Sequence, residues 1–110
     1  MRSSQDVAGP NSSGHYSDPP LLVLASLAAG PKHGHAMLDD IEAMCGTRLG
    51  PGTLYGAIAR LERQGWIEPL AADQRRRPYR LTDAGRSAFA AKIATLQHFV
   101  RVGSDRLLTL

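Results

Sequence analysis

The sequence predicts an α+β fold that is mainly α: three short helices, a two-stranded hairpin and one long C-terminal helix. Three observations predict it. Apolar residues recur three and four apart in separate segments between Pro19 and Gly65, as on one face of a helix. The pattern then shortens to two strand-like runs, Trp66–Leu70 and Tyr79–Leu81. After Thr82 a heptad spacing takes over and holds to the last residue.

Residues 1–17 are rich in Ser, Gly, Asn and Asp, with little to bury, and read as a disordered N-terminal arm. The folded part begins at Asp18-Pro19-Pro20, where Asp suits a helix cap and Pro suits the first turn. Leu21, Leu22, Val23, Leu24 and Leu27 are apolar almost all round, so this helix is expected to be buried. Gly30-Pro31 stops it. A second helix is expected from Gly34 to Cys45, ended by Gly46, with Met37, Ile41 and Met44 on one face. A short link, Thr47 to Gly50, leads to a third helix opened by Pro51. Leu54, Ile58 and Leu61 mark its buried stripe and Gly65 closes it. Two short helices joined by so short a turn read as a helix-turn-helix.

Pro69 cannot donate to a ladder, which places the first strand at an edge. Tyr79-Arg80-Leu81 reads as the returning strand, and the polar loop between them carries Arg75-Arg76-Arg77. A hairpin with basic residues at its tip, straight after a helix-turn-helix, is the layout of a wing. The last helix has Thr82 as N-cap and Asp83 in its positive first turn. Phe89, Ile93, Leu96, Val100, Gly103, Leu107 and Leu110 form its seam, interrupted only by Gly103. That seam reads either as a helix packing on its own domain or as a dimer contact; it outruns what a domain this small covers, which favours a homodimer. The expected organisation is an arm (1–17), a winged helix-turn-helix domain (18–82) and a dimerisation helix (83–110).

The chain has 110 residues, with 13 basic and 10 acidic side chains. Seven arginines and three acids fall between residues 48 and 80, whereas residues 1–47 are net acidic. Arginine is the better fork for phosphate and guanine, so the basic middle suits nucleic acid, though a solvated basic surface gives the same count. Cys45 is the lone cysteine, which rules out an internal disulfide and suits a reducing compartment. The longest apolar run, Leu21 to Ala29, is too short to span a membrane. The N-terminus has no basic-then-apolar leader, so a cytoplasmic location is expected.

Four segments carry a resemblance. Lys32-His33-Gly34-His35 resembles a His-Gly-Tyr start of the second helix, with His in the aromatic's place. Gly50-Pro51-Gly52-Thr53-Leu54-Tyr55 resembles a Ser-Pro-Gly-Thr-Leu-Tyr opening of the recognition helix. Ala59 to Ile67 resembles the Arg-Leu-Glu…Gly-Leu-Ile end of that helix, and Arg77 to Gly85 the Tyr-Arg-Leu-Thr…Gly join from wing to final helix. Together they resemble the PadR family of bacterial regulators, over about Leu21 to Val100, in the branch with a single C-terminal helix. Gly50 departs from the family's Ser, and Gly56 from a frequent Pro.

The resemblance implies a ligand-responsive repressor that binds double-stranded DNA as a dimer on a two-fold operator. It implies DNA contact at Thr53 and Tyr55; packing on the helix flank is the other reading for Tyr55. Pro51 and Gly52 open the recognition helix, whose free N–H groups suit a phosphate. Arg60 and Arg63 lie off the buried stripe and either reach the DNA backbone or stay solvated. Arg75, Arg76 and Arg77 suit phosphate contact or the minor groove, against a plain solvated turn. Lys32 and His33 are weaker phosphate candidates. The dimer is assigned to Leu21, Leu24, Phe89, Ile93, Leu96, Val100 and Leu107. An effector pocket, if the protein has one, is expected between subunits near Phe89, Ile93, Leu96 and the first helix.

Trp66 opens the wing and reads as core rather than a ligand-stacking residue. His33, His35, Cys45 and His98 have no established metal-ligand spacing, and no cofactor is expected. No nucleophile–base pair or phosphate loop suggests an enzyme. The competing class is a protein-interaction module that keeps the fold without binding DNA.

Overall fold

The computed structural model describes residues 18–109. The expected arm at 1–17 and the seam residue Leu110 lie outside them. The chain runs α1 (Pro19–Ala28), α2 (Gly34–Cys45), α3 (Pro51–Arg63), β1 (Ile67–Pro69), β2 (Tyr79–Leu81) and α4 (Asp83–Leu108).

The helix ends are set by local chemistry. The Asp18 carboxylate accepts from the Leu21 N–H at 3.2 Å, and prolines occupy the first turn of α1. Gly46, at φ 77°, closes α2 in the left-handed conformation that suits glycine. Thr82 caps α4 by accepting from the Gly85 N–H at 3.0 Å, while its hydroxyl donates to the Gly65 carbonyl at 2.6 Å. One side chain thus fastens the start of α4 to the end of the helix-turn-helix.

α1, α2 and α3 enclose the core. Val23, Leu24, Leu27, Met37, Ile41, Leu54 and Leu61 are fully buried there, and Ile67 joins them from β1. Trp66, Tyr79 and Phe89 pack partly buried against it, as core placement of Trp66 required. Met44 differs from expectation: it is exposed, because the last turn of α2 runs past the edge of the core.

The two strands pair antiparallel, with Ile67 opposite Leu81, Glu68 opposite Arg80 and Pro69 opposite Tyr79. β1 is shorter than the apolar run suggested. The Trp66 N–H closes onto the Leu61 carbonyl at 3.0 Å, so that residue lies in the turn that follows α3. On its other side β2 pairs once with Lys32, through bonds of 3.1 and 2.9 Å between Lys32 and Tyr79. α4 then leaves the domain, and Gly85 alone among its residues is buried.

Candidate nucleic-acid interface

α3 turns Leu54, Ala57, Ile58 and Leu61 inward. Geometry then leaves Gly52, Thr53, Gly56, Ala59, Arg60 and Arg63 exposed. Its N-cap, Gly50, supplies no side-chain hydrogen bond. The amides of Gly52 and Thr53 are therefore left for an outside acceptor, and the positive helix end favours an anion there. Arg60 and Arg63 stand in the last turn, complementing the negative end of the helix.

The wing is tighter than a polar loop. Asp73 and Arg76 exchange two backbone hydrogen bonds, of 2.7 and 2.9 Å, around Gln74 and Arg75. Both central residues have positive φ, 50° and 73°. That is a type I′ turn built without glycine or asparagine, which is unusual and mildly strained. It holds Arg75 at the exposed tip. Arg76 reaches back from the turn to place Nη1 3.3 Å from Nε2 of His33. Arg77 donates to the Leu70 carbonyl at 3.1 Å. Behind them Arg80 pairs with Glu68 across the strands at 2.6 Å.

His33 is the N-cap of α2, with Nδ1 accepting from the Ala36 N–H at 3.4 Å. Beside it the backbone of Gly34 passes under Tyr55, and a Cβ at position 34 would run into the tyrosine ring and hydroxyl. Tyr55 therefore both packs, across Gly34, and keeps about half its surface open. His33, Tyr55 and the three wing arginines line one cavity of about 270 Å³, with Tyr79 at its back. Burial raises the Tyr79 phenol above its ordinary pKa, and the carboxylate of Glu62 adds to this against the opposing pull of Arg77. The tyrosine is thus a neutral donor at physiological pH.

Two assigned residues are used elsewhere. Lys32 was expected to meet phosphate, but its ammonium donates to the Ser26 carbonyl at 2.6 Å and lies 3.9 Å from Asp40. Ser26, buried, donates to the same carboxylate at 2.7 Å. The lysine caps the C-terminus of α1 and is not free for DNA. Leu24, assigned to the dimer, is fully buried in its own domain and has no surface for a partner.

The remaining seam residues follow α4 outward. Phe89 packs on the core and Leu96 is half-buried, while Val100 is 62% and Leu107 72% exposed. Phe99, at 71%, and Leu108, at 84%, widen the apolar strip beyond the heptad positions, which the spacing alone did not reveal. Leu21 and Leu96 line a groove of about 320 Å³ between α1 and α4, with Ala91 and Thr95. On the far side of α2, Arg48 bonds Asp39 at 2.6 Å and Glu42 at 3.2 Å. This holds the Asp39 carboxyl below its ordinary pKa, chiefly through the hydrogen bond.

Residues 23–91 match the model of the transcriptional regulator PadR-like family. The chain is 54% identical over 69 residues to a 37.1 kDa uncharacterized protein in transposon Tn4556 of Streptomyces fradiae. The matched stretch is 63% of this chain and 20% of that protein, so the chain spans about a fifth of that relative's length. It is 36% identical over 84 residues to the transcriptional regulator Rv3488 of Mycobacterium tuberculosis, covering 74% of this chain and 78% of that one. Among solved structures, a transcriptional regulator from Clostridium thermocellum superposes with a TM-score of 0.70 at 26% identity, covering 79% of this chain and 87% of its own.

Proposed function

Because the chain belongs to the PadR-like family of transcriptional regulators, we propose that it is a sequence-specific DNA-binding repressor. In this reading it acts as a homodimer on a two-fold operator, and a small-molecule effector releases it. The observation that carries the DNA reading is the shared cavity of His33, Tyr55, Arg75, Arg76 and Arg77. It puts the second helix, the recognition helix and the wing on one basic face. α3 enters the major groove through Pro51, Gly52 and Thr53, with Tyr55 at its flank. Arg60, Arg63 and Arg75 meet the phosphates. The chain works as a DNA-binding domain at 18–82 and a dimerisation helix at 83–110.

Support for the dimer is the exposed apolar strip of α4, from Ile93 to Leu108, which water solvates poorly. Support for an effector is the groove between Leu21 and Leu96, about the volume of a small-molecule site and adjoining that strip. Among the described residues no helix is long and apolar enough to cross a membrane. A target on the chromosome places the working protein in the cytoplasm.

The test is to incubate the protein with sheared genomic DNA at near-physiological salt and sequence what it retains. Enrichment of a few sites with two-fold symmetry is expected. Uniform retention overturns sequence specificity, and no retention at moderate salt overturns DNA binding itself.

A further inference from the structure

We propose that His33 and Arg76 grip one and the same DNA phosphate, closing the wing onto the second helix around it. The inference rests on the DNA-binding reading above and adds a specific contact to it.

The argument is one of proton count. His33 Nδ1 accepts from the Ala36 N–H at 3.4 Å. A neutral imidazole that accepts at Nδ1 carries its proton on Nε2, so Nε2 is a donor. Arginine has donors alone. Yet Nη1 of Arg76 lies 3.3 Å from that Nε2. Two donors face each other with nothing between them to accept. The other tautomer would accept from Arg76 and abandon the Ala36 N–H, an orphan of the first helical turn. The protein alone satisfies one contact at a time.

An anionic oxygen beside the pair satisfies all of it. It accepts from Nε2–H and from the guanidinium together, and Nδ1 keeps the cap. The surroundings fit an anion. Arg75, Arg77 and Tyr55 line the same cavity, and no carboxylate does. Asp39, the nearest acid along α2, is tied up by Arg48 and His35, and its carboxylate does not line the cavity. Asp73, whose backbone is bonded across the wing turn to Arg76, does not line the cavity either. The unbonded amides at the start of α2 add positive potential. The cavity, at about 270 Å³, has room for a phosphate group. Its walls are the wing and two helices of the DNA-binding unit, which makes a backbone phosphate of bound duplex the source.

The test uses the operator recovered above and ethylation interference, in which phosphates are alkylated one at a time and binding is scored. Wild type, His33→Asn and Arg76→Ala are compared. Asparagine keeps the N-cap, so α2 remains intact, but it does not extend to the position of Nε2. One phosphate per half-site is expected to lose its influence in both variants, and it is the same phosphate. Arg76→Ala weakens binding roughly ten-fold, the usual scale for a charge-assisted hydrogen bond. It also lowers the slope of log affinity against log salt by about 0.9 per subunit. The double variant loses scarcely more than Arg76→Ala alone. His33→Asp, which keeps the cap but brings a carboxylate, weakens binding more than His33→Asn. Two different phosphates, or losses that multiply in the double variant, overturn the shared grip while leaving DNA binding standing. A wild-type protein that binds no DNA overturns the functional reading, and this inference with it.

Discussion

The two ends of α4 belong to one continuous helix but follow different rules. At its start, Thr82 ties the first turn to Gly65, Gly85 lies against the Trp66 backbone and Phe89 packs on the core. From Ile93 onward, apolar side chains face water: Phe99, Val100, Leu107 and Leu108 have no partner in their own domain. The first end is complete within one chain. The second carries an exposed apolar strip of the kind that marks interaction surfaces. A helix can therefore be packed into its domain at one end and left open at the other, joined by continuous backbone hydrogen bonds.

The comparison is easiest to break at Gly85. A Cβ there would collide with the Trp66 carbonyl, a backbone atom pinned by the Thr82 N–H at 3.0 Å. Gly85→Ala is expected to destabilise the fold by about 3 kcal/mol, the upper range for overpacking. Chemical denaturation measures it; a loss below roughly 1 kcal/mol would show that the join is soft.

The other end responds differently. Val100→Glu with Leu107→Glu puts charge on the exposed strip and leaves the core of α1–α3 untouched. Sedimentation at micromolar concentration is expected to show dimer converted to monomer, with the near-ultraviolet spectrum of Trp66 unchanged. A monomeric wild type would refute the assembly role. Gly103 sharpens the contrast, because a Cβ there meets nothing within 4 Å of its own chain. In a monomer Gly103→Ala gains helix stability, by about 1 kcal/mol. If Gly103 instead lies at a close crossing of two copies, the same change weakens the dimer.

The smallest expected effect lies on α2. Arg48 lowers the pKa of Asp39, so the folded carboxylate holds its proton less tightly than the unfolded one. The pair's contribution is present above the ordinary carboxylate range and is lost as pH falls through it. Arg48→Ala is expected to flatten stability against pH in that acid window and to change little at neutrality. Both groups are exposed, so the difference is small.

Much of this was legible in the sequence because the signals were local. Asp18, Gly46 and Thr82 act within three residues of the ends they set, and the positions of α1, α2 and α4 follow from them. The apolar stripe of α3 is equally local. What stayed hidden depends on contacts distant in sequence or on unusual residues. The bond of Lys32 to Ser26 requires knowing how α1 and α2 fold back on each other. The cross-contact of Arg76 with His33 spans 43 residues. The wing turn lacked its usual signature, since Gln74 and Arg75 occupy left-handed positions that favour glycine or asparagine. Leu24 looked like interface because an all-apolar helix gives no hint of which side meets its own core.

Lys32 has a mechanical consequence. Its backbone is stitched to Tyr79 of the wing, and its ammonium is bolted to the end of α1 through Ser26. The start of the same helix, at Leu21, forms one wall of the groove against α4. α1 is thus an axle roughly 15 Å long, taking about 1.5 Å per residue. The open groove sits at one end and the hinge pin of the wing at the other. One continuous helix therefore spans the distance between the groove and the point where the wing is attached.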